Sequence, residues 1–110
     1  MSKYVATRNK GFAMTFDNNY TISVQWGTEN YCEKKHTTIH PTNPMEHKRW
    51  DSLSAEIAVF DNEEMINISS DGVDDVIGWL GTEDVAKFIA IVSSANSADE
   101  IQTKIKTLGL

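Results

Sequence analysis

Apolar and polar positions alternate through Gly11 to Gly27, GFAMTFDNNYTISVQWG. Phe12, Met14 and Phe16 alternate with Ala13, Thr15 and Asp17. Tyr20, Ile22, Val24 and Trp26 alternate with Thr21, Ser23, Gln25 and Gly27. A period of two with one apolar face predicts two half-buried antiparallel strands, and the turn-forming run Asp17-Asn18-Asn19 lies between them. A two-residue turn at Asn18-Asn19 would set Phe16 against Thr21 and mix the faces. A three-residue loop sets Phe16 against Tyr20, Met14 against Ile22 and Phe12 against Val24. Asn19 then takes the left-handed conformation such a loop needs, because Asn tolerates positive φ better than most residues.

Residues 1–10 are polar, with Tyr4 and Val5 placed to begin an edge strand. Residues 28–53 show neither the helical nor the strand period and form a long irregular loop. That stretch holds both prolines (Pro41, Pro44), the histidines His36, His40 and His47, and the single cysteine, Cys32. A loop of such length within a compact domain is usually functional or disordered. Alternation returns at Ala55 to Phe60, with Ala55, Ile57 and Val59 on one face. A turn over Asp61 to Glu64 then sets Val59 against Ile66 and Ile57 against Ile68. Ser69-Ser70-Asp71-Gly72 is a further turn, and Asp74 to Leu80 a fifth strand weakened by Gly78. Trp26 and Trp79 sit in strand patterns and are expected in the core.

Two helices follow. Thr82 is the expected N-cap of the first, with Glu83 and Asp84 favourably placed in its positive first turn. Val85, Phe88, Ile89 and Val92 make an apolar stripe. Ser97 and Glu100 have capping-box spacing, Ile101, Ile105 and Leu108 form a second stripe, and Gly109 is a natural stop. The pattern predicts an α+β fold: an antiparallel meander of about five strands covered on one face by two C-terminal helices.

The 110 residues suit one domain, 1–110, burying roughly 65% of the unfolded surface without disulfide or metal support. No apolar run reaches the length of a membrane span, no signal-peptide stretch opens the chain, and one cysteine permits no internal disulfide, so a cytoplasmic protein is expected. The net charge of −6 is uneven: residues 1–27 carry Lys3, Arg8 and Lys10 against Asp17, whereas residues 54–110 carry eleven acids against three lysines. A chain of this sign is not built for phosphate backbones, which excludes general nucleic-acid binding.

The candidate chemistry is sparse. Cys32, His36, His40 and His47 are zinc-ligand types, but their C-x3-H-x3-H-x6-H spacing matches no common zinc framework. No metal or other cofactor is therefore assigned. Cys32 as a nucleophile beside a loop histidine lacks an orienting carboxylate, and an enzyme is the least favoured reading. Asp61, Glu63, Glu64, Asp71, Asp74 and Asp75 fall on turns at one end of the sheet, with no Lys or Arg from 50 to 86. They make either a solvated edge, a face for a basic partner, or a weak cation site. Trp50 follows Lys48 and Arg49, and Trp and Arg are both enriched at interface hot spots. The expected binding residues are Tyr31, Lys48, Arg49, Trp50, Asp61, Glu63 and Glu64.

The runs Tyr20 to Gly27 with Asn30-Tyr31-Cys32, Ala55 to Asp61, and Gly78 to Thr82 resemble those of a family of small, uncharacterised bacteriophage proteins. The resemblance covers about two thirds of the chain and fades in residues 33–53. It implies a phage gene product acting in the bacterial host cytoplasm and transfers no catalytic residue. The expectation is a non-enzymatic accessory protein that binds a host protein, with inhibition of a defence system as one such role. The alternative is sequestration of a small ligand, a nucleotide or signalling molecule, by Lys34, Lys35, His47, Lys48 and Arg49. An open edge strand also leaves a homodimer among the expected partners.

Overall fold

A computed structural model of the chain describes residues 2–7, 11–27, 30–33, 51–69 and 75–109. Strands β1 (Lys3–Thr7), β2 (Gly11–Thr15), β3 (Tyr20–Gln25), β4 (Ala55–Asp61), β5 (Glu64–Ile66) and β6 (Val76–Leu80) precede helices α1 (Thr82–Ser94) and α2 (Ala98–Thr107). The fold is α+β. Five antiparallel strands run in meander order β1-β2-β3-β4-β5, and β6 adds to the same side of β4 as β5.

The central hairpin has the register that its alternation requires, with Phe12 opposite Val24 and Met14 opposite Ile22. Its loop is closed by Phe16 N–H donating to the Tyr20 carbonyl and Asn19 N–H to the Phe16 carbonyl, both at 2.9 Å. Asn19 adopts φ +72°. The edge strand anticipated around Tyr4 and Val5 is β1, paired with β2 from Lys3–Thr15 to Thr7–Gly11.

The second hairpin is tighter than its sequence suggests. Pairing continues to Asp61–Glu64, leaving only Asn62 and Glu63 in the turn, and Asn62 supplies the positive φ, +57°, that a two-residue hairpin turn demands. Val59 meets Ile66 as expected, but Ile57 does not meet Ile68. β5 ends after three residues, and Ile57 instead pairs with Ile77 of β6. Ile68 is nonetheless buried beside them.

Both helices cover the face that carries Ile22, Val24, Ile57 and Val59. Val85, Phe88 and Val92 of α1 and Ile101 and Ile105 of α2 complete the core. α1 lies over β3 and β4, and α2 packs on α1. Gly81, not Thr82, is the N-cap of α1. Thr82 is its first helical residue, and its hydroxyl donates to Glu83 instead of capping the backbone. At α2 the Ser97 hydroxyl accepts from Glu100 N–H at 3.1 Å, while the Glu100 carboxylate accepts from Asn96 N–H at 2.9 Å. Gly109 follows at φ +73°.

Candidate functional site

The sheet margin at β4 and β6 carries the least ordinary geometry. Opposite Ala55 to Ile57, β6 contains one extra residue, so the register shifts between those pairs. Such a bulge re-aims side chains and often marks functional edges. The inserted turn of backbone is Gly78-Trp79, and Trp79 adopts φ +59°. A bulky residue there is an outlier, because its Cβ crowds the carbonyl that follows. Trp79 was expected in the core. It is instead 60% exposed, because the bulge turns it away from the interior.

Residues 30–33 lie against this bulge. Glu56 sits between two core residues of β4, so its carboxylate points to the face away from the helices. There it accepts from Tyr31 N–H at 2.9 Å and from the Asn30 side-chain amide at 3.4 Å. Asn30 Oδ1 accepts from Gly27 N–H at 3.0 Å, which closes the bend after β3. Trp79 N–H then donates to the Tyr31 carbonyl at 2.9 Å. Gly78 permits this approach: a Cβ on it would stand 2.4 Å from Tyr31 Cβ. Glu33 accepts from Leu53 N–H at 2.9 Å, and its own N–H donates to the Ser54 hydroxyl at 3.0 Å. The outcome is two exposed aromatic side chains on one locally braced framework, Tyr31 at 49% and Trp79 at 60%, whereas Leu53, 81% exposed, lines the cavity on the helix-covered side. Trp26, by contrast, packs against the core, its ring edge-on to Phe12 at 6.1 Å.

The structure distributes the expected binding residues unevenly. Tyr31 belongs to the framework just described. Asp61, Glu63 and Glu64 converge on a separate polar depression at the β4–β5 turn, shared with Lys3, Thr15, Asn19 and Thr21. Lys48, Arg49 and Trp50 lie outside the described residues, as do Lys34, Lys35, Asp71, Asp74 and the three histidines of the metal reading. Among the described residues no group of three or more His, Cys, Asp or Glu is placed to hold a metal ion. Cys32 is fully buried, with its Sγ 3.5 Å from the Gly27 carbonyl that accepts from it. A thiol so enclosed is closed to a substrate in solution.

A second feature was invisible in the sequence. Between the start of α1 and the end of β3 is a cavity of about 400 Å³ lined by residues such as Phe12, Val24, Trp26, Leu80, Val85 and Ile89. Its walls are mainly apolar, with Asp51, Ser52, Ser54 and Thr82 as the polar side chains of the lining.

No protein-family model matches the chain, and no curated protein or solved structure is significantly similar to it. Trp79 is the site residue whose exposure periodicity does not reveal. Gly78 was the available signal, since a glycine inside a strand pattern often marks a bulge or a close backbone approach.

Proposed function

We propose that this chain is a non-enzymatic binding protein that engages a partner protein through the exposed aromatic side chains of Tyr31 and Trp79. The observation that carries the reading is Trp79, a large aromatic held in the left-handed region and turned toward solvent. That conformation costs on the order of 1–2 kcal/mol, and exposure returns little of it through burial in the free chain. Burial against a partner recovers it, and Trp and Tyr are the residues that dominate interface energies. The resemblance to bacteriophage proteins makes the partner a host factor in the bacterial cytoplasm, and a component of a defence system fits that role. Asp61, Glu63 and Glu64 supply an acidic margin that would steer a basic partner, and Lys48, Arg49 and Trp50 extend the candidate contact set.

Pull-down from bacterial host lysate with the wild-type chain, Trp79→Ala and the double variant Arg49→Ala/Trp50→Ala tests this. A specific partner that Trp79→Ala loses supports the surface. A partner retained equally by Trp79→Ala, or no specific partner at all, overturns it.

The cavity favours one second reading, a small ligand held between α1 and β3. Its walls suit an apolar or aromatic compound more than a phosphate-bearing nucleotide. Calorimetry with small aromatic compounds and with cyclic nucleotides separates the two chemistries, and filling the space with Ala86→Phe should abolish any genuine heat of binding.

A further inference from the structure

Two unusual features of the molecule meet at one strand. Trp79 is a large aromatic held at φ +59° and 60% exposed. Beside it the apolar cavity of about 400 Å³ is lined in part by Ala55, Leu80 and Gly81. The register of β6 connects the two. Val76 pairs with Ala58 and Ile77 with Ile57, but it is Leu80, one residue late, that pairs with Ala55. Continued in step, the first two pairs would set Gly78 opposite Glu56 and Trp79 opposite Ala55. Ala55 is a core residue that also lines the cavity. The regular register therefore delivers the Trp79 indole to a space roomy enough to hold it, and moves Leu80 on to the level of Ser54.

The surroundings suit an exchange between these registers. Gly78 and Gly81 flank the pair Trp79-Leu80, and glycine accepts backbone rotations that other residues resist. Gly81 caps α1 without a side-chain bond, and a Cβ there would meet nothing within 4 Å. The displaced Leu80 thus has slack at the helix entrance. Among the described residues β6 pairs with no strand but β4, so the indole passes round its outer edge once the bond to Tyr31 opens. The free energies oppose one another. The exchange takes Leu80, 4% exposed, from the core and gives up the 2.9 Å bond from Trp79 N–H to the Tyr31 carbonyl. In return it buries the larger surface of an indole, restores contacts across a void and returns residue 79 to the extended region that bulky side chains prefer.

We propose that β6 is a two-register switch, in which Trp79 and Leu80 exchange the place opposite Ala55 and the inward indole fills the cavity. Outward, Trp79 is presented to a partner; inward, it is withdrawn. Its control of capture rests on the Trp79 surface proposed above, whereas the switch itself needs no partner. An apolar compound in the cavity excludes the indole, so compound and partner both favour the outward register and each strengthens the binding of the other.

The test uses the full chain labelled with 5-fluorotryptophan, the Trp79 resonance being assigned by Trp79→Phe. Fluorine NMR relaxation dispersion reads exchange on the microsecond-to-millisecond scale of register shifts. The expected result is a second Trp79 environment populated at about 0.1–10%, with the Leu80 methyl groups exchanging at the same rate. Gly78→Ala should raise that population at least ~10-fold, because only in the outward register would its Cβ stand 2.4 Å from Tyr31 Cβ. Ala86→Phe fills the cavity from an exposed helix position and should abolish the exchange, which keeps the test decisive if Gly78→Ala unfolds. Exchange in neither the wild type nor Gly78→Ala, exchange at Trp79 without Leu80, or exchange that persists in Ala86→Phe overturns the switch. Where Trp79→Ala loses a partner, Ala86→Phe should hold that partner at least as tightly as the wild type, and weaker capture overturns the gating. Capture lost in Trp79→Ala with no exchange at Trp79 keeps the surface and removes the switch. Exchange at Trp79 with capture unchanged by Trp79→Ala does the reverse.

Discussion

Asn18 joins two parts of the molecule that are far apart in sequence. From the tip of the first hairpin its side-chain amide donates to the carbonyls of Val92 at 2.8 Å and Ala95 at 2.9 Å, and its Oδ1 accepts from Tyr20 N–H at 3.1 Å. The last carbonyls of a helix lack intrahelical donors, so Asn18 satisfies the C-terminal end of α1 and pins it to the sheet. Asn18→Ala should cost about 1–2 kcal/mol in urea unfolding, and Asn18→Asp more, because a carboxylate would face carbonyl oxygens. Gly78→Ala should cost about 2 kcal/mol, since its Cβ would force Tyr31 from its place and break the Trp79–Tyr31 bond; the same variant should weaken partner binding. Trp79→Asn separates function from stability. Asn tolerates the left-handed backbone and relieves about 1 kcal/mol of strain, which offsets a similar loss of partial burial. Stability should therefore change by less than about 1 kcal/mol while partner capture is lost.

At the scale of elements, α1 is held chiefly by its buried stripe and little by its cap. Gly81 provides no side-chain acceptor, whereas Phe88 is wholly enclosed in the core. Phe88→Ala should cost about 3–5 kcal/mol, a large part of the roughly 5–15 kcal/mol available to a domain, and calorimetric melting would register it directly. Glu83 contributes at the other end of the helix. Hydrogen bonds from its own backbone N–H and from the Thr82 hydroxyl, with the Lys87 charge nearby, hold its carboxyl below the ordinary glutamate range. A carboxyl lowered by folding stabilises the fold above its unfolded value. That contribution is lost as pH falls through the lower folded value, so Glu83→Gln should flatten the acid limb of the stability profile slightly. α2 is capped conventionally by Ser97, and its Gln102 amide donates to the Asn67 carbonyl at 2.8 Å, tying it to the chain after β5.

Across the whole molecule, the sheet presents two unlike margins: a plain, uninterrupted strand at β1 and a bulged margin at β4–β6 with exposed aromatics. The acidic turn at Asp61, Glu63 and Glu64 lies at one end between them. If these acids steer a basic partner, raising salt should lower the association rate several-fold and leave dissociation nearly unchanged, which stopped-flow measurements would register. Hairpin register, the loop at Asn19, both helical stripes and the stop at Gly109 were all legible in the sequence. Each is a local matter, decided by which neighbours in the chain are apolar or tolerate positive φ, and periodicity encodes which face is buried. The partner of β6, the two-residue turn at Asn62, the exposure of Trp79 and the cavity behind α1 were decided only by the tertiary structure. An alternating pattern does not say which strand will lie beside which, and Trp79 looks like core until the bulge opposite Glu56 turns it out. Contacts such as Tyr31 against Gly78 and Asn18 against α1 join residues with no shared local pattern, so they exist only once packing has brought those segments together.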